Sequence, residues 1–407
     1  MTVYRADWVL PISAPPIADG WVAIEGGRIA AVGSGHEPDA IDLGPAAILP
    51  GLVNAHTHLE LSCLRGAVPP ADRFLDWIEA ILTARRQWPD PEAPAILHAA
   101  RAGILEARAS GTALMGDISN TLVTVPLLRE AAMPARVFYE LLGFNAPDPA
   151  GLVREARARV ERAESGLEDV KLALAPHAPY SVSPALLTAI REDLDAHPGD
   201  VSSVHLGESP EEGEFIERGT GGWRDMLIRL NAWTDDWRPP GVSPVAYLAD
   251  LGLLDSRVLA VHGVQCGVDD LSRLRGLGTT VVSCPRSNRY VGVGDPPLDG
   301  MYAAGVRVAF GTDSLASVGD LNVFAELAAA RRIASRAPAH QLLESATLAG
   351  AVALGFGDEF GSIEPGKRAA LLGVRLPGGV GDVEEYLLSG IEPEDIRWLD
   401  RDTPDSQ

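Results

Sequence analysis

Short apolar runs and longer amphipathic stretches alternate through the central part of this chain. Eight runs have the length and the aliphatic or β-branched character of buried strands. They cover residues 48–53, 112–116, 135–139, 170–175, 201–204, 258–261, 279–283 and 306–310. Helical spacing of apolar residues appears between them, as at Phe74, Ile78 and Ile81. Eight strand–helix repeats predict an α/β fold, a (β/α)8 TIM barrel over residues 50–357.

The two ends of the chain show β-structure without intervening helices. Segments 21–25 and 28–32 flank Gly26 and Gly27, a pair that closes a tight hairpin because glycine accepts positive φ. Residues 361–374 offer another turn and strand. Because neither end has enough strands to bury a core alone, we predict that residues 1–49 and 358–407 form one small β-sandwich domain beside the barrel.

Composition and charge exclude several classes of protein. Of 407 residues, 46% are hydrophobic and 22% charged, which is typical of a globular protein with a large core. A formal net charge of −22 repels phosphate backbones, so nucleic acid is not an expected partner. Three cysteines without a Cys-x-x-Cys pair favour a reducing compartment. Since no signal peptide or membrane-length apolar run is visible, we expect a cytoplasmic protein with no membrane partner.

Side chains that bind metals or transfer protons follow six of the predicted strands. In chain order they are His56 and His58, His177, His205 and Glu208, His262, residues 284–288, and Asp313. A bare His-x-His is as often an ordinary loop as a pair of ligands. The carboxyl ends of barrel strands, however, meet at one mouth, so the ordered series predicts an active site there.

Three imidazoles and one carboxylate at that mouth predict a metal site. The expected ligands of a single divalent ion are His56, His58, His205 and Asp313, with one position left for water. We expect Zn²⁺, although Fe²⁺ and Mn²⁺ accept the same donors. Such an ion lowers the pKa of its water to about 7. His262 is expected to orient that water, and Glu208 to transfer protons.

The series resembles the amidohydrolase superfamily, and more closely its mononuclear aminohydrolase branch. The resemblance covers nearly the whole chain, from the hairpin through the Pro-Gly-Leu-Val-Asn-Ala-His-Thr-His motif at 50–58 to Gly-Ser-Ile-Glu-Pro-Gly-Lys at 361–367. It implies the same four metal ligands, and Glu208 with His262 as a catalytic pair. Binuclear members use a lysine at the end of strand 4. Because Lys171 begins that strand here, one metal is the better interpretation.

The resemblance also implies a reaction. Activated water attacks the amidine carbon of an aromatic ring, and Asp313 accepts the proton of that water. Glu208 protonates the neighbouring ring nitrogen while His262 stabilises the attacking oxygen, and ammonia leaves. The sequence contains no Pro-Cys-x-x-Cys, so the combined His-x-Glu and Pro-Cys-x-x-Cys signature of the cytidine-deaminase fold is absent.

The loop after the first histidine pair is similar to that of aminodeoxyfutalosine deaminases of menaquinone biosynthesis. Their substrate is an adenine nucleoside with a distal benzoate, and such a carboxylate needs a cation or hydrogen-bond donors. Arg286, Arg289 and Arg65 are candidates for it. The side chains expected to contact substrate are His177, Glu60, Trp77, Arg286, Ser287, Asn288 and Ser314.

Other functions remain open at this stage. The chain is alternatively a deaminase of S-adenosylhomocysteine, methylthioadenosine or adenosine, or another ring aminohydrolase or chlorohydrolase. A relative that has lost activity and serves as a binding protein is a further alternative, but such relatives tend to lose ligands that this chain keeps. A homodimer is compatible with the sequence.

Overall fold

The computed structural model describes residues 1–399 as a barrel joined to a small sheet. The strands are β1 (Thr2–Val9), β2 (Ile17–Glu25), β3 (Arg28–Ser34), β4 (Ile41–Asp42), β5 (Ala46–Pro50), β6 (Leu52–Thr57), β7 (Thr112–Ser119), β8 (Ala135–Leu141), β9 (Val170–Pro176), β10 (Ser202–Leu206), β11 (Val258–His262), β12 (Thr280–Ser283), β13 (Val308–Phe310), β14 (Leu371–Arg375) and β15 (Ile396–Trp398).

Helices follow most of the barrel strands, and short 3₁₀ helices occupy Leu59–Leu64 and Pro393–Asp395. The α-helices are α1 (Phe74–Arg85), α2 (Pro94–Ala109), α3 (Val125–Glu130), α4 (Pro149–Glu164), α5 (Pro184–Ala196), α6 (Pro210–Arg218), α7 (Gly222–Arg229), α8 (Pro244–Asp250), α9 (Val268–Leu277), α10 (Pro285–Tyr290), α11 (Leu298–Ala304), α12 (Val323–Ile333), α13 (Ala339–Ser345), α14 (Leu348–Ala353) and α15 (Val383–Leu387). Among the described residues, no helix combines the length and apolar character needed to cross a bilayer.

The barrel consists of two four-stranded parallel halves, β6–β9 and β10–β13. Backbone hydrogen bonds close both seams near the carboxyl ends of the strands. The N–H of His205 donates to the carbonyl of His177 at 2.9 Å, and the N–H of Asp313 donates to that of His56 at 3.0 Å. Both seams are therefore held by residues of the predicted site. The predicted (β/α)8 fold is confirmed.

The interior of the barrel below the site is packed with side chains. Inward residues such as Val53, Leu259 and Val261 form one buried cluster with Leu354 and Phe360 from the segment that follows α14. A barrel of eight strands is just wide enough to be filled in this way. The open end at the carboxyl ends of the strands is therefore where a ligand can bind.

The small domain is a sheet with the strand order β15-β14-β5-β1-β2-β3, with β4 beside β1. Its predicted hairpin joins β2 to β3 through Gly26 and Gly27, whose φ angles are 58° and 75°. Strand β14 pairs antiparallel with β5, so both ends of the chain contribute to the sheet. Residues 400–407 of the predicted C-terminal segment lie outside the described residues.

The first predicted barrel strand is corrected by the structure. The apolar run 46–53 forms two strands, with β5 in the small sheet and β6 in the barrel. They separate at Gly51, whose N–H donates to the carbonyl of Ala370 at 2.8 Å. A Cβ on this residue would lie 2.5 Å from the Cβ of Ala113. Because both strands are buried along their length, hydrophobicity alone does not reveal the division.

Candidate active site

Four strand ends bring the predicted metal and catalytic residues together. His56 lies in β6 and His58 directly after it, His205 lies in β10, and His262 ends β11. Asp313 follows β13 and forms a bridge with Thr57, the last residue of β6. Since parallel strands of a barrel end on one face, this topology gathers groups that are far apart in sequence.

Three imidazole nitrogens converge on one point at the centre of this face. The Nε2 atoms of His56 and His58 are 3.2 Å apart, and those of His58 and His205 are 3.4 Å apart. Asp313 Oδ1 lies 3.7 Å from the Nε2 of His56 and 3.5 Å from that of His58. The four donors thus surround a space of atomic size.

The chemistry of these donors fits a cation. His205 Nδ1 lies 2.9 Å from the carbonyl of His177, to which it can only donate, so the lone pair of its Nε2 faces the centre. Burial, followed by the charges of neighbouring histidines, lowers the pKa values of His56 and His58 well below their usual value. Imidazole lone pairs that face one another at this distance repel unless a proton or a cation lies between them. The arrangement suits a single divalent metal ion with three nitrogen ligands and one carboxylate.

Glu208 and His262 form a second pair beside the metal ligands. Glu208 Oε1 is 3.4 Å from the Nε2 of His262, and both side chains are buried. His262 Nδ1 lies 2.9 Å from the amide oxygen of Asn288. Burial, with the nearby charges of Asp313 and Glu212, raises the pKa of Glu208 well above its usual value. A carboxyl group of this kind holds a proton that it can donate.

Two of these residues have strained backbones. His262 has a φ of 77° and Asp313 a φ of 61°, values that side chains with a Cβ rarely adopt. Such strain persists where the surrounding structure fixes the backbone, and it is concentrated at active sites. This backbone conformation directs the side chains of His262 and Asp313 toward the centre of the site.

Ser287 and Asn288 contact Asp313 and His262 and do not line the cavity, although the sequence predicted contacts with substrate. Both are fully buried in α10 and are absent from the cavity lining. The Ser287 hydroxyl donates to Asp313 Oδ2 at 2.6 Å, and Asn288 fixes the His262 ring. The Ser287 hydroxyl and the Asn288 amide oxygen thus contact Asp313 and His262, so these two are positioning residues.

The predicted arginine contacts are also corrected. Arg286 donates to Glu326 at 2.5 Å and to Asp320 at 2.8 Å, because the fully buried Glu326 carboxylate requires a partner. Arg289 pairs with Asp295, and Arg65 with Glu106. None of the three lines the cavity.

A cavity of about 230 Å³ opens above the metal ligands. Its floor contains His58, His205, Glu208, His262 and Asp313, together with the predicted contacts His177 and Ser314. Its walls are largely apolar and include Phe74, Trp77, Tyr180, Trp223 and Met226. The rings of Tyr180 and Trp223 stack with centroids 3.7 Å apart. A flat, partly polar ring therefore matches both the floor and the walls.

Trp77 and Glu60 occupy different surroundings. Trp77 lines the cavity but is also part of the core, where it stacks on Phe74 with centroids 6.3 Å apart. Glu60 does not line this cavity. Its carboxylate accepts hydrogen bonds from the hydroxyls of Ser119 and Thr121 and faces an adjoining groove.

Arg85 is a cavity residue that the sequence did not single out as a substrate contact. Among the described lining residues it is the only arginine or lysine, and it also lines the adjoining groove of about 310 Å³. Its guanidinium donates to the amide oxygen of Asn120 at 3.2 Å and lies 3.8 Å from Glu60. Its position in the last turn of α1 gave no signal in the sequence, because arginine is common there.

Two buried carboxyl groups hold the loops that carry the ligands, and sequence reasoning missed both. Asp117 accepts the backbone N–H of Leu59 and the hydroxyls of Thr57 and Thr124. Glu212 accepts the N–H groups of Gly207 and Glu208, each at 2.9 Å. Burial raises the pKa of each carboxyl to about 7.

Known proteins with similar sequences and structures agree with this geometry. The chain is 33% identical to a 5-methylthioadenosine/S-adenosylhomocysteine deaminase of Moorella thermoacetica, over 95% of this chain and 90% of the relative. It is 34% identical to an aminodeoxyfutalosine deaminase of Deinococcus radiodurans, over 77% and 76%. A crystal structure of an adenosine deaminase from Xanthomonas campestris with bound zinc matches with a TM-score of 0.82 and 28% identity, covering 97% of this chain and 90% of that chain.

The sequence profile of the amidohydrolase family matches residues 47–387, a range that includes every residue predicted to bind the metal or to act in catalysis. Zinc in the Xanthomonas structure agrees with a single divalent ion of the zinc type at the three histidines. The chain belongs to the amidohydrolase family, as the resemblance of its sequence implied.

Proposed function

We propose that this protein is a metal-dependent deaminase that converts the 6-amino group of an adenine nucleoside to a 6-oxo group and releases ammonia. The observation that carries the proposal is the placement of Glu208 and His262, 3.4 Å apart, beside four metal ligands on the floor of an apolar cavity. The names of the relatives from Moorella and Deinococcus support the same class of reaction.

Each residue has a role that follows from its contacts. His56, His58, His205 and Asp313 would hold the ion, which when bound would supply a water with a pKa lowered to about 7. Asp313, whose Oδ2 accepts a hydrogen bond from the Ser287 hydroxyl, is placed to take up a proton during the attack. The buried Glu208 carboxyl donates a proton to the ring nitrogen next to the reacting carbon. His262, whose Nδ1 is held by Asn288, directs Nε2 toward the reacting oxygen.

Within this class, we propose aminodeoxyfutalosine as the substrate. Arg85 places a positive charge at the cavity, and the groove that it shares has apolar walls that include Leu64, Trp88 and Ile96. A benzoate combines an apolar ring with a carboxylate and suits these surroundings. The relative from Deinococcus supports this assignment. Menaquinone biosynthesis in the cytoplasm is the setting that this substrate implies.

Methylthioadenosine or S-adenosylhomocysteine is the second candidate substrate. The similarity to the Moorella deaminase extends over 95% of this chain, further than the similarity to the Deinococcus protein. Methylthioadenosine has no carboxylate, so a preference for it would leave Arg85 without a role in binding.

The test is ammonia release by zinc-loaded protein from aminodeoxyfutalosine, S-adenosylhomocysteine, methylthioadenosine, adenosine, guanine and cytosine. We expect the highest kcat/KM for aminodeoxyfutalosine. Glu208→Gln should lower kcat by about 10²- to 10⁴-fold, the usual contribution of a general acid, with the metal content unchanged. Metal-loaded protein that releases ammonia from none of these compounds would contradict the proposal and favour a binding protein or another ring hydrolase.

A further inference from the structure

Glu140 is a buried carboxylate on the cavity wall that the proposed reaction does not use. It lies near the end of β8, with 6% of its surface exposed, and lines the cavity between His177 and His205. Its Oε2 accepts a hydrogen bond from the Asn120 amide at 2.9 Å. Among the described residues, no hydrogen bond reaches Oε1, whose nearest charged neighbour is His205 Nδ1 at 3.5 Å. One side of this carboxylate thus faces the cavity without a donor.

Orientation of His205 does not require Glu140. The proton on His205 Nδ1 is already donated to the carbonyl of His177 at 2.9 Å. For the same reason, His205 Nδ1 has no lone pair for a second metal ion, although Glu140, His177 and His205 lie close enough to hold one. His177 Nδ1 in turn contacts the Ser181 hydroxyl at 2.6 Å. The neighbouring protein groups therefore leave Oε1 available.

A buried charge with unused acceptor capacity is costly unless a ligand supplies the donor. A series of short contacts between polar groups links the metal ligands to Arg85 in the lining of the cavity. His205 lies 3.5 Å from Glu140, Glu140 2.9 Å from Asn120, and Asn120 3.2 Å from Arg85. In a nucleoside whose base lies at the metal, the sugar comes next. Glu140 lies at that second position, before the cation at Arg85.

We propose that the Glu140 carboxylate, held by Asn120, accepts hydrogen bonds from the 2′- and 3′-hydroxyls of the substrate ribose. This inference rests on the proposed nucleoside deaminase function and adds the sugar-binding residue to it. Two neighbouring hydroxyls match the two oxygens of a carboxylate, and bonds to a charged acceptor are stronger than neutral ones. The residue therefore selects ribonucleosides over deoxyribonucleosides.

The test compares wild-type protein with Glu140→Gln and Glu140→Ala. We would measure kcat/KM for adenosine, 2′-deoxyadenosine and 3′-deoxyadenosine. Calorimetric binding of coformycin and 2′-deoxycoformycin gives a readout that does not depend on turnover. Wild type should prefer each ribo compound by roughly ten- to hundredfold, the usual effect of one bond to a charged group. In both variants this preference should fall to about threefold or less. Glu155→Gln, on an exposed face of α4, is the matched control and should keep the wild-type preference.

Other outcomes would overturn the inference in distinguishable ways. If the Glu140 variants lower kcat/KM and binding affinity equally for ribo and deoxy compounds, Glu140 acts on the metal ligand His205 and not on the sugar. If wild-type protein contains two metal ions per chain and the variants contain one, Glu140 is a ligand of a second ion. If wild type neither deaminates adenine nucleosides nor binds coformycin, the proposed function itself fails.

Discussion

Arg85 is the only arginine or lysine among the described residues that line the candidate substrate cavity. Arg85 reaches the cavity from the last turn of α1, and its nearest partners are Asn120 and Glu60. Its side chain is 43% exposed, so the guanidinium is accessible to a ligand. The three arginines predicted from the sequence are instead paired with carboxylates elsewhere. Arg85 is therefore the candidate cation for recognition of a substrate carboxylate within this cavity.

Arg85→Met should raise KM for aminodeoxyfutalosine by about ten- to hundredfold, because a hydrogen bond to a charged group is lost. The KM for adenosine, which has no carboxylate, should change by less than about threefold by the same reasoning. Steady-state kinetics with both substrates measures the difference. Arg129→Met, an exposed arginine on α3, serves as the control. An equal effect of Arg85→Met on both substrates would show that Arg85 acts on the structure of the cavity.

At the scale of single residues, the sequence predicted which residues meet at the strand ends. It did not predict the directions of side chains on the helix that follows a strand. His56, His58, His205 and Asp313 converge because parallel strands fix where their ends lie. Residues 286–288 follow a strand but form the first turns of α10, where successive side chains point about 100° apart. Arg286 therefore points away toward Glu326, whereas Ser287 and Asn288 point toward the catalytic groups. Sequence adjacency alone does not distinguish these directions.

At the scale of elements, Asp117 connects strands β6 and β7 to the loop that begins at His58. It lies in β7 and accepts the N–H of Leu59, directly after His58, and the hydroxyl of Thr57 at the end of β6. The carboxyl is fully buried, and its pKa is raised from 3.8 to about 7. The protonation state of the Asp117 carboxyl therefore acts on the loop that carries His58.

The stability of the protein should depend on the protonation of Asp117. Its folded-state pKa exceeds the unfolded value, so its contribution to stability is complete below about pH 3.8 and is lost as the pH rises through about 7. Asp117→Asn has no such proton. The fall in Tm from about pH 6 to about pH 8 should be smaller in this variant by about 1–2 °C, since a change of about 1 kcal/mol has that effect in a chain of this length.

Differential scanning calorimetry at both pH values provides the measurement. Asp39→Asn removes an exposed carboxyl and should reproduce the wild-type pH dependence. A pH dependence in Asp117→Asn that equals that of wild type would assign the effect to other buried carboxyls, such as Glu212 and Glu326.

Elements with a clear period were predictable, whereas boundaries between buried strands were not. The apolar spacing at Phe74, Ile78 and Ile81 predicted a helix, and α1 covers Phe74–Arg85. The run 46–53 divides at Gly51, where the chain passes from pairing with β14, a partner distant in sequence, to pairing with β7 in the barrel. No local pattern reports such a contact.

At the scale of the whole molecule, the metal ligands join segments from both halves of the barrel. His56 and His58 belong to the first half, and His205 and Asp313 to the second. An ion bound by all four ligands binds the folded state and not the unfolded chain. It should therefore stabilise the barrel as a unit.

Removal of the metal with a chelator should lower Tm, and added zinc should restore it. At a free zinc concentration of about 100 times Kd, the stabilisation is about 2.7 kcal/mol. That corresponds to about 3–4 °C in a chain of this length. His58→Ala should abolish the response to zinc, and His98→Ala, an exposed histidine on α2, should retain it. A zinc-dependent Tm in His58→Ala would place the stabilising ion elsewhere.

The pairing of β5 with β14 also affects how the protein is made. Strand β5 ends at Pro50 and continues through Gly51 into the strand that carries His56, but its neighbour β14 begins at Leu371. A ribosome delivers the chain from its N-terminus, and early segments usually fold first. Here β5, which directly precedes the strand of the first predicted metal ligand, lacks one of its two neighbours until the entire barrel has been synthesised. Release of an incomplete chain would therefore leave β5 with an open edge at the point where the chain enters the barrel.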